Sequence, residues 1–177
     1  MQPNIPELIL GHPLLSTALV VAVLAVVNYQ AGLSYREFRL LHILKCRLFA
    51  LMDPWARKRG RPLVKTKAGP PDAPEYVTTV TATPRAVAQT ISGAFGPHLL
   101  ATAKRRQTVD GPQWSHSQWR QTHDDGRQTE VYLFPFGGGG TVVYAHVETQ
   151  VEDPEGHLTD DVTPGDGRGA FKTAFEN

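Results

Sequence analysis

The chain has 177 residues and a single cysteine, so it cannot form an internal disulfide. It also lacks C-x-x-C and paired Cys/His zinc spacings. These absences exclude a secreted disulfide scaffold and a zinc finger. The first 35 residues contain no Lys or Arg. The length fits one modest domain with additional segments and excludes a large multidomain enzyme.

The net charge of +1 conceals a strong partition along the chain. Residues 1–35 carry one acid, residues 36–67 carry ten bases and two acids, and residues 68–177 carry eight bases and fourteen acids. A basic segment beside an apolar one is typical of a membrane surface. The acidic distal part is poorly suited to phosphate backbones, so we expect no nucleic-acid partner.

Residues 8–27 form an uncharged, largely apolar run of twenty residues. A helix of that length spans about 30 Å, the thickness of a bilayer core, and predicts a transmembrane anchor within residues 1–33. A cleaved signal peptide and a buried core helix are the alternatives, but no base precedes the run, as a signal peptide would require. The bases that follow the run predict a single-pass protein of the cell membrane, with the N-terminus outside and the remainder cytoplasmic.

A second helix is predicted over residues 34–56, ending near Asp53-Pro54. Ser34 and Glu37 form a capping box at its start. The helix is amphipathic. Its apolar arc comprises Phe38, Leu41, Leu44, Leu48, Leu51 and Met52, and its polar arc comprises Arg36, Arg39, His42, Cys46 and Arg47. We expect it to lie in the membrane interface. The alternatives are packing on its own domain, homo-oligomer formation through a second copy, or a second membrane passage.

The bases of this helix and of the segment after it are the expected contacts with an anionic lipid surface. These membrane-surface residues are Arg36, Arg39, Arg47, Arg57, Lys58, Arg59 and Arg61. Residues 57–74 are basic and then proline-rich, with a Pro70-Pro71 pair, and predict a semi-extended linker.

Residues 75–177 predict a small α+β domain. Residues 75–82 alternate as a strand, Thr83-Pro84 opens a helix, and further strands are expected near 102–109, 113–122, 128–135 and 141–151. The turn spacing favours one antiparallel meander with one packed helix, in the order β-α-β-β-β-β. An acidic tail rich in Gly and Pro follows, in which Phe171 and Phe175 at helical spacing predict either a short terminal helix or a frayed end.

This order of elements, with the helix entry Thr83-Pro84-Arg85-Ala86-Val87, resembles a truncated helix-grip (START or Bet v 1-like) arrangement. The resemblance covers at most residues 75–177, and the long C-terminal helix of that family is missing or very short. It implies a cavity for an apolar ligand or lipid. The residues expected to line such a cavity are Val87, Ile91, Leu133, Val143 and Val147.

The sequence offers no recognised catalytic motif. Four histidines, His116, His123, His146 and His157, lie in or beside the predicted sheet without the spacing of a ligand pair. A metal-dependent hydrolase would need two or more of them to converge on one cation. We therefore predict no catalytic residue, no metal ligand and no cofactor.

Two tryptophans, Trp114 and Trp119, fall on opposite faces of one predicted strand. An exposed one would mark a surface for a protein partner; the alternative is packing under the N-terminal helix or the tail. The sequence thus predicts a membrane-anchored protein, not an enzyme, whose cytoplasmic domain is a binding or scaffolding module. Apolar-ligand binding and metal-dependent hydrolysis are the alternatives.

Overall fold

The computed structural model describes residues 34–70, 73–99, 101–150 and 164–176. The helices are α1 (Tyr35–Arg57), α2 (Pro84–Ile91) and α3 (Pro164–Glu176). The strands are β1 (Val64–Lys67), β2 (Tyr76–Val80), β3 (Gly96–Pro97), β4 (Ala103–Thr108), β5 (Gly111–Trp114), β6 (Ser117–Thr122), β7 (Arg127–Phe136) and β8 (Gly140–Thr149). The anchor predicted within residues 1–33 lies outside the described residues. Among those that are described, no helix is both long and apolar enough to cross a bilayer.

The strands form two sheets, which confirms a small α+β domain. The larger sheet has the order β2-β8-β7-β6-β3 and is antiparallel throughout. The smaller has the order β1-β4-β5, with β1 parallel and β5 antiparallel to β4. The expectation of a single meander was therefore wrong. Residues 64–67, placed by the sequence in a linker, form β1.

The strand predicted over residues 113–122 is two strands, β5 and β6, in different sheets. The break falls at Ser115 and His116. The amide of Ser115 donates to the carbonyl of Lys104 in the small sheet, whereas the amide of His116 donates to the carbonyl of Leu133 in the large sheet. Because the chain changes its pairing partner here, Trp114 and Trp119 do not share a strand.

Helices α2 and α3 pack on one face of the large sheet, and the main apolar core lies between these helices and the sheet. Thr83 caps α2 by accepting from the amide of Ala86 at 3.2 Å, as the sequence predicts. The core comprises Phe38, Val77, Val87, Ala88, Ile91, Phe95, Leu99, Trp119, Val131, Leu133, Val143, Ala145 and Phe171. Four of the five side chains expected to line an apolar cavity are thus members of this packed cluster.

The small sheet covers the other face of the large sheet. Lys104 of β4 reaches Glu130 of β7, and the Arg106 Nη2 donates to the carbonyl of Pro135 at 2.8 Å. The outer face of the small sheet receives α1, since Cys46 packs with Val64 and Ala103. Helix α1 contacts both sheets, because Cys46 packs on the small sheet whereas Phe38 packs on Trp119 of the large sheet.

Helix α1 begins at the predicted capping box, with the Ser34 amide donating to Glu37 at 2.9 Å. It continues past Pro54 to Arg57. The carboxylate of Asp53 accepts from the amides of Leu63 and Val64 at 2.8 and 2.9 Å, and it pairs with Arg57. We attribute the extension beyond the proline to these contacts, which bind the last turn to the chain entering β1.

Candidate functional site

The side of α1 that is buried in the domain only partly coincides with the predicted apolar arc: Phe38 is buried, whereas three leucines of that arc are exposed. His42, Lys45 and Cys46 face the domain. His42 Nε2 lies 3.0 Å from the carbonyl oxygen of Ser115, and Lys45 donates to the side-chain oxygen of Gln118. These polar groups find partners inside the domain, so the side of the helix that carries them is the one that is buried.

The outward side of α1 is a stripe of leucines, which we call the leucine face: Leu40, Leu44, Leu48 and Leu51. Their side chains are 44–66% exposed. At about 100° per residue the four positions fall within an arc of roughly 80°. Four neighbouring leucines in water are an unusual feature of an isolated domain and indicate a contact surface.

The bases predicted to contact lipid are all exposed except Arg39, which is half-buried. Three of them also contact this chain. Arg39 is half-buried and donates to the carbonyl of His116, Arg57 donates to the carbonyl of Val64 at 2.6 Å, and the Arg59 guanidinium stacks 3.6 Å from the Trp55 ring centre. The guanidinium of Arg39 is thus held against the domain, and its contact with lipid stays a prediction.

The two tryptophans have different environments. Trp119 is buried beneath α1, 5.1 Å from the Phe38 ring centre, and its Nε1 donates to Ser117. It is therefore not a partner surface, and the alternative of packing under the N-terminal helix is what the structure shows. Trp114 is half-buried and packs beside Cys46 and Val64 on the small sheet.

The second feature is a buried polar cluster between the two sheets, which we call the inter-sheet cluster. It is centred on Glu130 of β7 and on His146 and Glu148 of β8. Glu130 and His146 are directly paired across the strands. Lys104 of β4 and Glu75, which precedes β2, complete the cluster. Glu75 and Glu148 are slightly exposed, and the other side chains of the cluster are almost wholly inaccessible to water.

The atoms of the inter-sheet cluster converge tightly. His146 Nε2 lies 3.1 Å from Glu148 Oε2 and 3.3 Å from Glu130 Oε2. Lys104 Nζ lies 2.9 Å from that same oxygen of Glu130. On the other side of the imidazole, His146 Nδ1 contacts the Tyr132 hydroxyl and lies 3.3 Å from Glu75 Oε1. One histidine thus stands among three carboxylates.

Burial and charge shift the ionisation of this cluster in opposite directions. Burial alone would lower the pKa of His146, but contacts with Glu130, Glu148 and Glu75 raise that pKa to about 9. Burial would raise the pKa of Glu130, but Lys104 and His146 hold it well below its usual value. Burial lowers the pKa of the adjacent His98 to about 4. Strongly perturbed groups of this kind cluster at functional sites as well as in structural ion networks.

The four histidines identified in the sequence do not share one location. His116 Nε2 lies 2.6 Å from the Tyr35 hydroxyl, His123 Nε2 lies 2.8 Å from the Thr129 hydroxyl, and His157 lies outside the described residues. Only His146, of the three that are described, enters the inter-sheet cluster.

Sequence reasoning missed Glu75, His98, Lys104, Glu130 and Glu148. The period-two pattern of β8 does place His146 and Glu148 on one face, opposite to the apolar core. It could not show that this face is covered by a second sheet, since that depends on the placement of β1 and β4.

Neither a family model, nor a curated protein, nor a solved structure matches this chain.

Proposed function

We propose that this chain is a membrane-surface protein in which α1 lies against an anionic bilayer and the α+β domain is a binding or scaffolding module. The observation that carries the proposal is the leucine face of α1, with exposed bases at its margins. Apolar side chains facing outward beside cationic ones are the pattern of a helix in the interface plane.

The leucine face supplies enough apolar surface to matter. Full burial of a leucine is worth about 1.5–3 kcal/mol, so burying the exposed half of each contributes about 1 kcal/mol. The four together contribute about 4 kcal/mol. Each base close to anionic lipid adds about 1 kcal/mol, a part that weakens as salt screens it.

The segment preceding α1 supports the same location. The uncharged run of residues 8–27 ends only a few residues before Ser34. With an anchor in residues 1–33 and ten bases in residues 36–67, α1 would begin at the membrane surface on the cytoplasmic side. The leucine face would then meet the lipid from which the anchor emerges.

Spin-label depth measurements on the full chain test this proposal. The only native cysteine is replaced with Cys46→Ala, and a label is introduced at Leu44→Cys or, as a matched control, at Val109→Cys. Val109 is a fully exposed apolar residue in the β4–β5 turn. In vesicles containing anionic lipid, we expect the label at residue 44 to be accessible to oxygen and shielded from a water-soluble nickel relaxant. The label at residue 109 should show the reverse.

Equal nickel accessibility at the two positions would contradict lipid contact. Strong dipolar broadening between labels at residue 44 would show instead that the leucine face meets a second copy of the chain, which would also refute the proposal.

A further inference from the structure

We propose that Glu130, His146 and Glu148 form a binding site for one divalent transition-metal ion of the zinc, iron or manganese class. The site lies between the two sheets. It is independent of the membrane function proposed above, so that either can fail without the other.

The spacing of the three side chains fits one shared ion. Metal–ligand bonds of about 2.1 Å place neighbouring ligand atoms roughly 3.0 Å apart in octahedral and roughly 3.4 Å apart in tetrahedral coordination. The two distances from His146 Nε2, 3.1 Å to Glu148 Oε2 and 3.3 Å to Glu130 Oε2, fall in that interval. The third pair, between the two carboxylates, lies within 4.8 Å.

In each candidate ligand, the polar atom that points away from the proposed ion is held by another side chain. Glu130 Oε1 accepts from Gln118 at 3.0 Å, and Glu148 Oε1 accepts from Gln128 at 3.0 Å. His146 Nδ1 contacts Tyr132, whose hydroxyl also donates to Glu75 at 2.7 Å. Such outer contacts orient metal ligands and leave the inner atoms to the ion.

The nitrogen of His146 that faces the two carboxylates lies close to both of them but forms no well-oriented hydrogen bond with either. His146 is almost fully buried, and its Nε2 makes no hydrogen bond with any other described residue. Next to Glu130, His98 is also fully buried, and neither of its ring nitrogens has a hydrogen-bond partner in the described part of the chain. Buried polar atoms are normally satisfied, so both indicate a missing polar occupant.

The ligand chemistry selects the class of ion. One imidazole with two carboxylates suits zinc, iron(II) or manganese(II) and lacks the thiolates that select copper(I). Lys104 competes for the site, because its ammonium contacts the same Glu130 oxygen that would bind the metal. Removal of this ammonium should therefore increase metal affinity.

The first test is performed on the wild-type full chain in detergent. The protein is unfolded with chelator, refolded with Zn²⁺ or Co²⁺, and freed of excess metal. We expect one ion per chain, a raised melting temperature and Co²⁺ absorption bands in the visible range. X-ray absorption at the zinc edge should show nitrogen and oxygen ligands without sulfur. Absence of a retained ion, or sulfur scattering from Cys46, would overturn the proposal and leave the cluster as a lysine-centred ion network.

Variants locate the ion. Glu148→Gln preserves the side-chain volume and should weaken Zn²⁺ binding by about tenfold or more. His123→Gln, which alters a histidine outside the cluster, should bind as the wild type does. Lys104→Met, refolded with Zn²⁺ present, gives a second and independent measurement. Because Lys104→Met lacks the competing ammonium, it should bind Zn²⁺ more tightly than the wild type does. Zn²⁺ should also raise the melting temperature of this variant by more than it raises that of the wild type. A loss of binding in His123→Gln, or an unchanged response in Lys104→Met, would refute this location.

Discussion

Lys104→Met is the sharpest test of how the inter-sheet cluster stabilises the fold. The substitution keeps a long unbranched side chain and removes one charge. In the native protein Lys104 Nζ lies 2.9 Å from Glu130 Oε2, and both side chains are almost wholly inaccessible to water. Burial lowers the pKa of Lys104, but Glu130 and the other nearby carboxylates raise it above its usual value, so the ammonium is charged.

The magnitude follows from the distance and the burial. At 2.9 Å and an effective dielectric constant of about 20, the attraction is about 6 kcal/mol. Removing the Lys104 ammonium from water costs free energy in the wild type but not in the variant, and this difference offsets part of the lost attraction. Since Glu130 is left buried without its strongest partner, we expect a net loss of about 3–5 kcal/mol. The double variant Lys104→Met/Glu130→Gln removes both charges and should recover about 2–3 kcal/mol of that loss.

The assay is urea unfolding of the full chain in detergent with chelator present, monitored by tryptophan fluorescence, to which the buried Trp119 contributes. A shifted midpoint with an unchanged slope would report a change in stability alone. Lys172→Met, on the exposed side of α3, should stay within about 0.5 kcal/mol of the wild type. The reasoning is refuted if Lys104→Met behaves like Lys172→Met, or if the effects of the two cluster substitutions simply add.

Three further outcomes are expected from the same unfolding assay. Gly167→Ala should cost about 1–3 kcal/mol, because the added methyl would lie 2.6 Å from the backbone nitrogen of His146, whereas Gly169→Ala in the same helix meets nothing within 4 Å and should gain about 0.5–1 kcal/mol. Equal effects would contradict the packing of α3 on β8. Burial lowers the pKa of His116 to about 4 from 6.5, so stability is fully present above pH 6.5 and falls as the pH drops towards 4. His116→Gln should flatten this part of the pH profile, and an unchanged difference between pH 7 and pH 4, the two ends of that interval, would count against it. Asp53→Ala should cost about 2 kcal/mol because two backbone amides lose their acceptor, while Asp53→Asn, which keeps a carbonyl oxygen, should cost less.

Local signals in the sequence predicted the positions of several elements. The capping box at Ser34, the Thr83-Pro84 helix entry and the turn before β8 each depend on contacts a few residues apart. Of the two alternatives for the tail, the structure shows the terminal helix, which carries Phe171 and packs on β8. Such features are visible in a short window because the interacting groups are neighbours along the chain.

The apolar pattern of α1 did not show which of its polar residues the domain buries. Periodicity shows that a helix has an apolar side, but it does not show which side the domain covers. His42 and Lys45 lie inward because Ser115 and Gln118, more than seventy residues away, supply their partners. The leucine face is therefore exposed.

The sequence by itself determined the order of most helices and strands, the α+β class and the partition of charge, because these depend on composition and near-neighbour patterns. Only the tertiary structure decided that β1 and β4 form a second sheet over the polar face of the first. That placement removes Glu130 and His146 from water and brings Lys104 to them. The inter-sheet cluster joins strands that are distant in sequence. Its chemistry arises from burial and distance, which no local pattern encodes.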